Sequence, residues 1–190
     1  MEALKPDTFI IADTHFGHKN IISYENRPFA DVDEMDVEMI RNWNDVVCKT
    51  DKIFVLGDFS FHPNEITKEI CQKLNGSKTL IMGNHDCRST SRYLECGFKE
   101  VYKHPIIMND FWILSHYPMY VNANMPYANI FGHVHGNPAF RDYTKQTFCA
   151  SVERIGYTPI KFSEIQRRMA FSDEAAVEFS KEDINNYRHD

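Results

Sequence analysis

The chain has 190 residues, 43% apolar and 13% aromatic, which suits one sizeable core and, by length, one domain spanning 1–190 rather than two. Its 21 basic and 27 acidic residues leave a formal charge of −6, which argues against a broad, sequence-blind grip on nucleic acid and leaves room only for a local basic patch. No apolar run approaches the roughly 20 residues needed to cross a bilayer, the N-terminus lacks the features of a signal peptide, and the five scattered cysteines form no C-x-x-C pair, so a cytoplasmic protein with buried, reduced thiols is expected.

Thr8 to Ala12 reads as a first buried strand and runs directly into Asp13-Thr14-His15-Phe16-Gly17-His18. Asp31 is placed to cap a helix reaching about Lys49, because Val32, Met35, Met39, Ile40, Trp43, Val46 and Val47 recur at helical spacing. That stripe is core and implies no chemistry. Lys52 to Leu56 is a second strand and ends in Gly57-Asp58; Glu65 to Leu74 is a short helix closed by Asn75-Gly76. Thr79-Leu80-Ile81-Met82 is a third strand, stopped by Gly83-Asn84-His85-Asp86. Such alternation favours a sheet with a parallel portion and helices on its faces.

Ile106-Ile107-Met108 and Phe111 to Leu114 flank Asn109-Asp110, two residues that tolerate the left-handed backbone of a tight hairpin turn. The second arm ends in Ser115-His116, which is not a nucleophile and base, since consecutive side chains on a strand point to opposite faces. Ala128 to Phe131 leads into Gly132-His133-Val134-His135-Gly136, whose two histidines share a side if the segment is extended. Thr147 to Val152 is a last strand, and Tyr157 to Ile160 begins the approach to a helix capped by Ser163 and running through Met169. Residues 166–190 read as a helical or frayed tail, with a further helix starting at Ser172.

Any one of these polar strand ends is unremarkable by itself. Together, Asp13, His15, Asp58, Asn84, His116, His133 and His135 place oxygen or imidazole ligands after separate apolar runs, which is where open α/β sheets bind ligands. Seven ligands are too many for one catalytic ion with open positions and suit two divalent ions, about 3.5–4 Å apart, if one carboxylate bridges them. Asp58, from a central strand, is the expected bridge. Imidazole and carboxylate without thiolate suit manganese, iron, zinc or nickel and disfavour calcium.

The ordered set Asp-x-His, Gly-Asp, Gly-Asn-His-Asp, a lone His and Gly-His-x-His resembles the calcineurin-like metallophosphoesterase superfamily, nearest to its compact single-domain bacterial and phage-type members, from about Thr8 to Ile165. The resemblance implies an α/β sandwich of two mixed sheets packed face to face and flanked by helices. It implies one metal held by Asp13, His15, Asp58 and His135 and a second held by Asp58, Asn84, His116 and His133, with manganese the preferred ion for both. His85 would then assist the leaving oxygen, with Asp86 fixing its orientation. A hydroxide between the two ions would attack the phosphorus. The Gly-Asp-x-x-Asp-Arg-Gly loop of the phosphoprotein phosphatases is missing, since Phe59-Ser60-Phe61-His62 follows Asp58. Only 17 positions separate His116 from His133, so the site is expected to be open, without a cap. His18, His62 and Arg88 lie beside the motifs, either as substrate contacts or as ordinary loop residues. The expected substrate is a phosphodiester of a nucleotide-like small molecule. The alternatives are a nuclease acting on DNA or RNA, a phosphomonoesterase, and a silent protein-binding scaffold of the same fold.

Overall fold

Three of the apolar runs become neighbouring parallel strands in the computed structural model, which describes residues 3–170. The five-stranded sheet has the order β4-β3-β2-β1-β9, built from β1 (Phe9–Ile11), β2 (Lys52–Val55), β3 (Ser77–Ile81), β4 (Glu100–Tyr102) and β9 (Ile160–Lys161). All pairs are parallel except β1 with β9. The second sheet has the order β5-β6-β7-β8, from β5 (Ile106–Met108), β6 (Trp112–Leu114), β7 (Ala128–Phe131) and β8 (Thr147–Cys149). Its first pair is antiparallel and the other two are parallel. Two mixed sheets flanked by helices are thus the observed architecture.

Strand alternation explains why these runs are apolar throughout. Ile10 and Phe54 point into the core between the sheets with Trp112, Ile130 and Phe148, while Phe9, Ile11, Ile53 and Val55 point the other way onto Met35, Met39 and Trp43. The second core lies under α2 (Val32–Val46), α3 (Asn64–Lys73) and α4 (Thr90–Cys96). Asp31 caps α2 by accepting from the Glu34 amide at 2.9 Å. The helix stops at Val46, three residues short of expectation, because Val47 is extended and the Asp51 carboxylate takes the Cys48 amide at 2.7 Å.

The hairpin forms with Asn109 and Asp110 at φ 52° and 54°, although Phe111 belongs to the loop, since Met108 pairs with Trp112. The helices α1 (Lys19–Tyr24) and α4 and the strand β4 have no counterpart in the sequence reading. The strand expected over 147–152 is β8 and ends at Cys149, and it is not the last, since β9 follows at Ile160–Lys161 where only the approach to a helix was expected. Residues 150–152 leave the second sheet for the first: Ala12 N–H donates to the Ala150 carbonyl at 2.9 Å and Val152 N–H to the Ala12 carbonyl at 3.1 Å. This crossing draws the two sheets together at one end. Helix α5 (Phe162–Ala170) begins one residue before Ser163, which therefore lies in the first turn and not at the cap. The further helix expected from Ser172 lies outside the described residues. Of the cysteines, Cys71, Cys96 and Cys149 are buried, but Cys48 and Cys87 are exposed, because the loops that carry them face solvent. Among the described residues no helix is long and apolar enough to cross a membrane.

Candidate metal centre

In-register pairing brings the strand ends to one place. Ile11 lies beside Val55, and Val55 beside Leu80, so the segments that follow β1, β2 and β3 emerge side by side with Asp13, Asp58 and Asn84. Leu114 lies beside Ile130, so His116 and His133 emerge together from β6 and β7. The Gly132 amide then donates to the His116 carbonyl at 2.9 Å, and the His133 amide to Asp13 Oδ2 at 2.8 Å, closing the second sheet onto the first.

Five of the seven candidate ligands have a positive φ: Asp13, His15, Asp58, His133 and His135, between 46° and 69°. The two histidines after β7 are therefore not extended. The left-handed turns send them to different partners, and such backbone strain in non-glycine residues is concentrated at functional sites. Close approach also requires three glycines, Gly57 against His116 together with Gly83 and Gly132. A Cβ on Gly83 would lie 2.3 Å from Asp58 Oδ1, and one on Gly132 would lie 2.5 Å from Asp13 Oδ2.

The seven side chains form two adjoining groups. Asp13, His15 and His135 each place a donor atom within 4.8 Å of the others, and so do Asp58, His116 and His133. Asp58 Oδ2 joins them, 3.5 Å from both His15 Nε2 and His116 Nε2. The Leu56 carbonyl can only accept, so its 2.9 Å bond to His116 Nδ1 puts the proton there and leaves Nε2 of the neutral ring as a lone pair. That lone pair faces Asn84 Oδ1 at 2.9 Å, His133 Nδ1 at 3.2 Å and Asp58 Oδ2. In the same way, His135 Nδ1 donates to Glu153 Oε1 at 3.0 Å and its Nε2 faces Asp13 Oδ1 at 4.0 Å. Asp13 Oδ1 and His15 Nε2 are buried without a hydrogen-bond partner. Converging acceptors and orphaned buried ligand atoms call for positive charge between them, and this donor set fits divalent metal ions.

Protonation follows from the same crowding. Burial pushes the Asp13 carboxyl up to about 6, against the pull of His135 and His116. Burial pushes His15 down to about 4. Burial would also raise Asp58, but the His15 and His116 rings and the His85 amide outweigh it and hold the carboxyl down to about 2. His135 is raised despite burial, by Glu153 and Asp13.

The remaining expected residues divide. His85 is exposed, with its ring 5.7 Å from that of His15 and its amide donating to Asp58 Oδ1 at 2.8 Å. Asp86 is buried and bonds to other groups than the His85 ring. It accepts from the amides of Asp58 (2.7 Å), Gly83 (2.8 Å) and Phe59 (3.2 Å) and from the Tyr93 hydroxyl (2.9 Å). It fixes the loops that carry Asp58 and His85 rather than the ring itself, because the turn after β3 points it inward. His18 is at the site, its Nδ1 3.2 Å from His15 Nδ1 and its ring stacked 3.9 Å from Phe61. His62 turns to Asp36 at 2.6 Å. Arg88 donates to the carbonyls of Ser60 and His62 and to Asn64 Oδ1, clamping the loop after β2.

Three supporting residues escaped the sequence reading. Ser151 Oγ donates to Asp13 Oδ2 at 2.6 Å. Arg27, fully enclosed, donates to the carbonyls of Asp13 and Thr14 and pairs with Glu153 at 2.7 Å, so it holds the carboxylate that orients His135. Glu153 lies in a helical turn, Val152–Arg154, just past the point where the chain crosses between sheets. No local motif marks any of them.

No family model matches the chain. It is 36% identical over 166 residues to the uncharacterized protein MJ1445 of Methanocaldococcus jannaschii, covering 83% of this chain and 88% of that one. A solved structure, the protein of unknown function AQ665 from Aquifex aeolicus, superposes on 85% of this chain and 98% of its own with TM-score 0.64 and 28% identity. Nuclease MPE of Pseudomonas putida aligns over 68% of this chain and 62% of its own at TM-score 0.47 and 19% identity, too slight a likeness to bear on activity.

Proposed function

The chain belongs to the same family as the M. jannaschii protein MJ1445, and we propose that it is a metallophosphoesterase that hydrolyses a phosphodiester with two divalent ions, manganese by preference. The observation that carries this reading is the position of Asp58 Oδ2, 3.5 Å from a nitrogen of each of two three-residue donor groups. Asp13, His15, Asp58 and His135 would hold one ion, and Asp58, Asn84, His116 and His133 the other. When bound, such a pair supplies Lewis acidity at the phosphoryl oxygens and lowers the pKa of a water from 15.7 to about 7.

The chain's own groups supply the rest. His85 would give a proton to the departing oxygen, a role supported by its exposure and its ring 5.7 Å from that of His15. Asp86 and Arg88 hold the two loops that set its position. A diester is favoured over a monoester dianion because Arg27, Arg88 and Arg154 are bound to protein carbonyls and none offers a fork to extra phosphate charge. Asn84 and His85 are both exposed, which supports an open site that a diester can enter.

The test compares hydrolysis of bis-p-nitrophenyl phosphate with p-nitrophenyl phosphate, with added manganese and with Asp58→Asn as background. Turnover that favours the diester and disappears in the variant is expected. A protein that binds two metals yet turns over neither ester would point instead to a protein-binding scaffold.

A further inference from the structure

Beside the two donor groups lies a pocket of about 510 Å³, within the range of small-molecule sites. His133 and His135, one from each donor group, are among its lining residues, so the pocket adjoins both groups. Its aromatic and apolar lining is Tyr117, Phe140, Val134 and Pro118. Tyr117 is held edge-on to His133, ring centroids 4.6 Å apart, and is half exposed; Phe140 is 39% exposed. Two polar residues, Glu25 and Asn137, also line it, and the Glu25 carboxylate lies beside His135, within 4.8 Å of a ring nitrogen. Glu25 Oε2 takes the Gly136 amide at 3.1 Å, which leaves Oε1 with no hydrogen bond among the described residues.

Such a wall suits neither a phosphate, which Glu25 repels, nor an aliphatic chain, which leaves a carboxylate oxygen unpaired. It suits a flat ring that stacks on aromatic side chains and carries an N–H donor at its edge. Resting on the phosphodiesterase reading above, we infer that this pocket receives an amino-bearing nucleobase of a nucleotide substrate, with Tyr117 and Phe140 as its stacking walls and Glu25 Oε1 accepting from the exocyclic amino group. The phosphoryl group then lies over His133 and His135, at the metal groups. Adenine and cytosine present that amino group; hypoxanthine and uracil present a carbonyl at the same position.

Calorimetry on the full chain, with and without manganese, tests this using AMP against IMP and CMP against UMP. Binding of AMP and CMP about tenfold tighter than their carbonyl partners is expected, with the ratio near one in Glu25→Gln. Phe140→Ala, a change at a half-exposed loop position, should weaken AMP about tenfold. Equal affinity within both pairs overturns the proposal. So does a loss of bound metal in Glu25→Gln, which would make Glu25 a ligand, since it also lies within 4.8 Å of donor atoms of His135 and Glu153. The ratio of kcat/KM for the p-nitrophenyl ester of AMP over methyl p-nitrophenyl phosphate should fall about tenfold in Phe140→Ala. Absence of turnover with both esters would sink the phosphodiesterase reading while the binding comparison still decides the pocket.

Discussion

Asp58 Oδ2 faces a nitrogen from each donor group while its Oδ1 accepts the His85 amide, so one carboxylate links both groups to the loop after β3. In Asp58→Asn one oxygen becomes an amide that cannot bridge cations. Elemental analysis should find both metals depleted; full occupancy would refute the bridging role. His85→Ala should keep its metals, since no ligand group includes His85, and should slow esters with poor leaving groups most. Equal slowing of good and poor leaving groups would remove His85 from proton transfer. Asp13 and His135 give the pH dependence. The ligating form of Asp13 would be the carboxylate, which burial pushes up to about 6, and His135, raised by Glu153 and Asp13, must also be neutral to ligate, so on acidification protons compete at both and affinity should fall by at least tenfold per unit below about pH 6. His15, held down at about 4, stays neutral and competent through that range. Titrating manganese affinity from pH 7.5 to 5 checks the sign; affinity that rises on acidification would contradict it. The candidate ligands were legible because each lies within a few residues of the end of a buried strand. Arg27 and Glu153 were not, being 126 residues apart and meeting only because the chain crosses between sheets after Cys149.

Strand ends are the elements that build the site, and they were readable because a run buried on both faces can be followed by polar residues only where it leaves the core. The short elements were not readable. α1, α4 and β4 span six, seven and three residues, too few for periodicity to stand out, and packing on longer neighbours decides them. The His-x-His segment shows the limit of an extended-strand assumption: left-handed φ values, not strand alternation, direct His133 and His135. Gly132 lets the end of β7 reach β1. A Cβ there would meet Ala12 Cβ at 2.6 Å and the Leu56 carbonyl at 3.2 Å as well as Asp13, and these belong to the backbone and strand ends of the other sheet. Gly132→Ala is therefore expected to lower stability by about 1–3 kcal/mol in urea unfolding and to reduce metal content, since the clash parts the segments that carry Asp13 and His133. Unchanged stability and metal content would mean the two ends move apart freely.

Across the whole molecule, the candidate ligands are divided between the sheets: Asp13, His15, Asp58 and Asn84 follow strands of the first, and His116, His133 and His135 follow strands of the second. Sequence gave no access to how the sheets face each other, because no local pattern encodes the crossing at residues 150–152. In the folded chain that crossing sets acceptor against acceptor, with Asp13 Oδ1 and His15 Nε2 buried and unpartnered. Metal ions placed there would tie one sheet to the other and relieve that repulsion, so their binding should stabilise the global fold and not only the loops. At a concentration of 100 times Kd, one site adds about 2.7 kcal/mol. For a chain of this size that corresponds to a rise of roughly 5–11 °C in Tm. Thermal unfolding with manganese should show at least that rise, reversed by chelator and abolished in Asp58→Asn. Calcium should raise Tm far less, because the groups offer four imidazoles where it prefers oxygen. Equal stabilisation by calcium would mean that the carboxylates act without the histidines, and the two-group centre would have to be abandoned for a simpler acidic site.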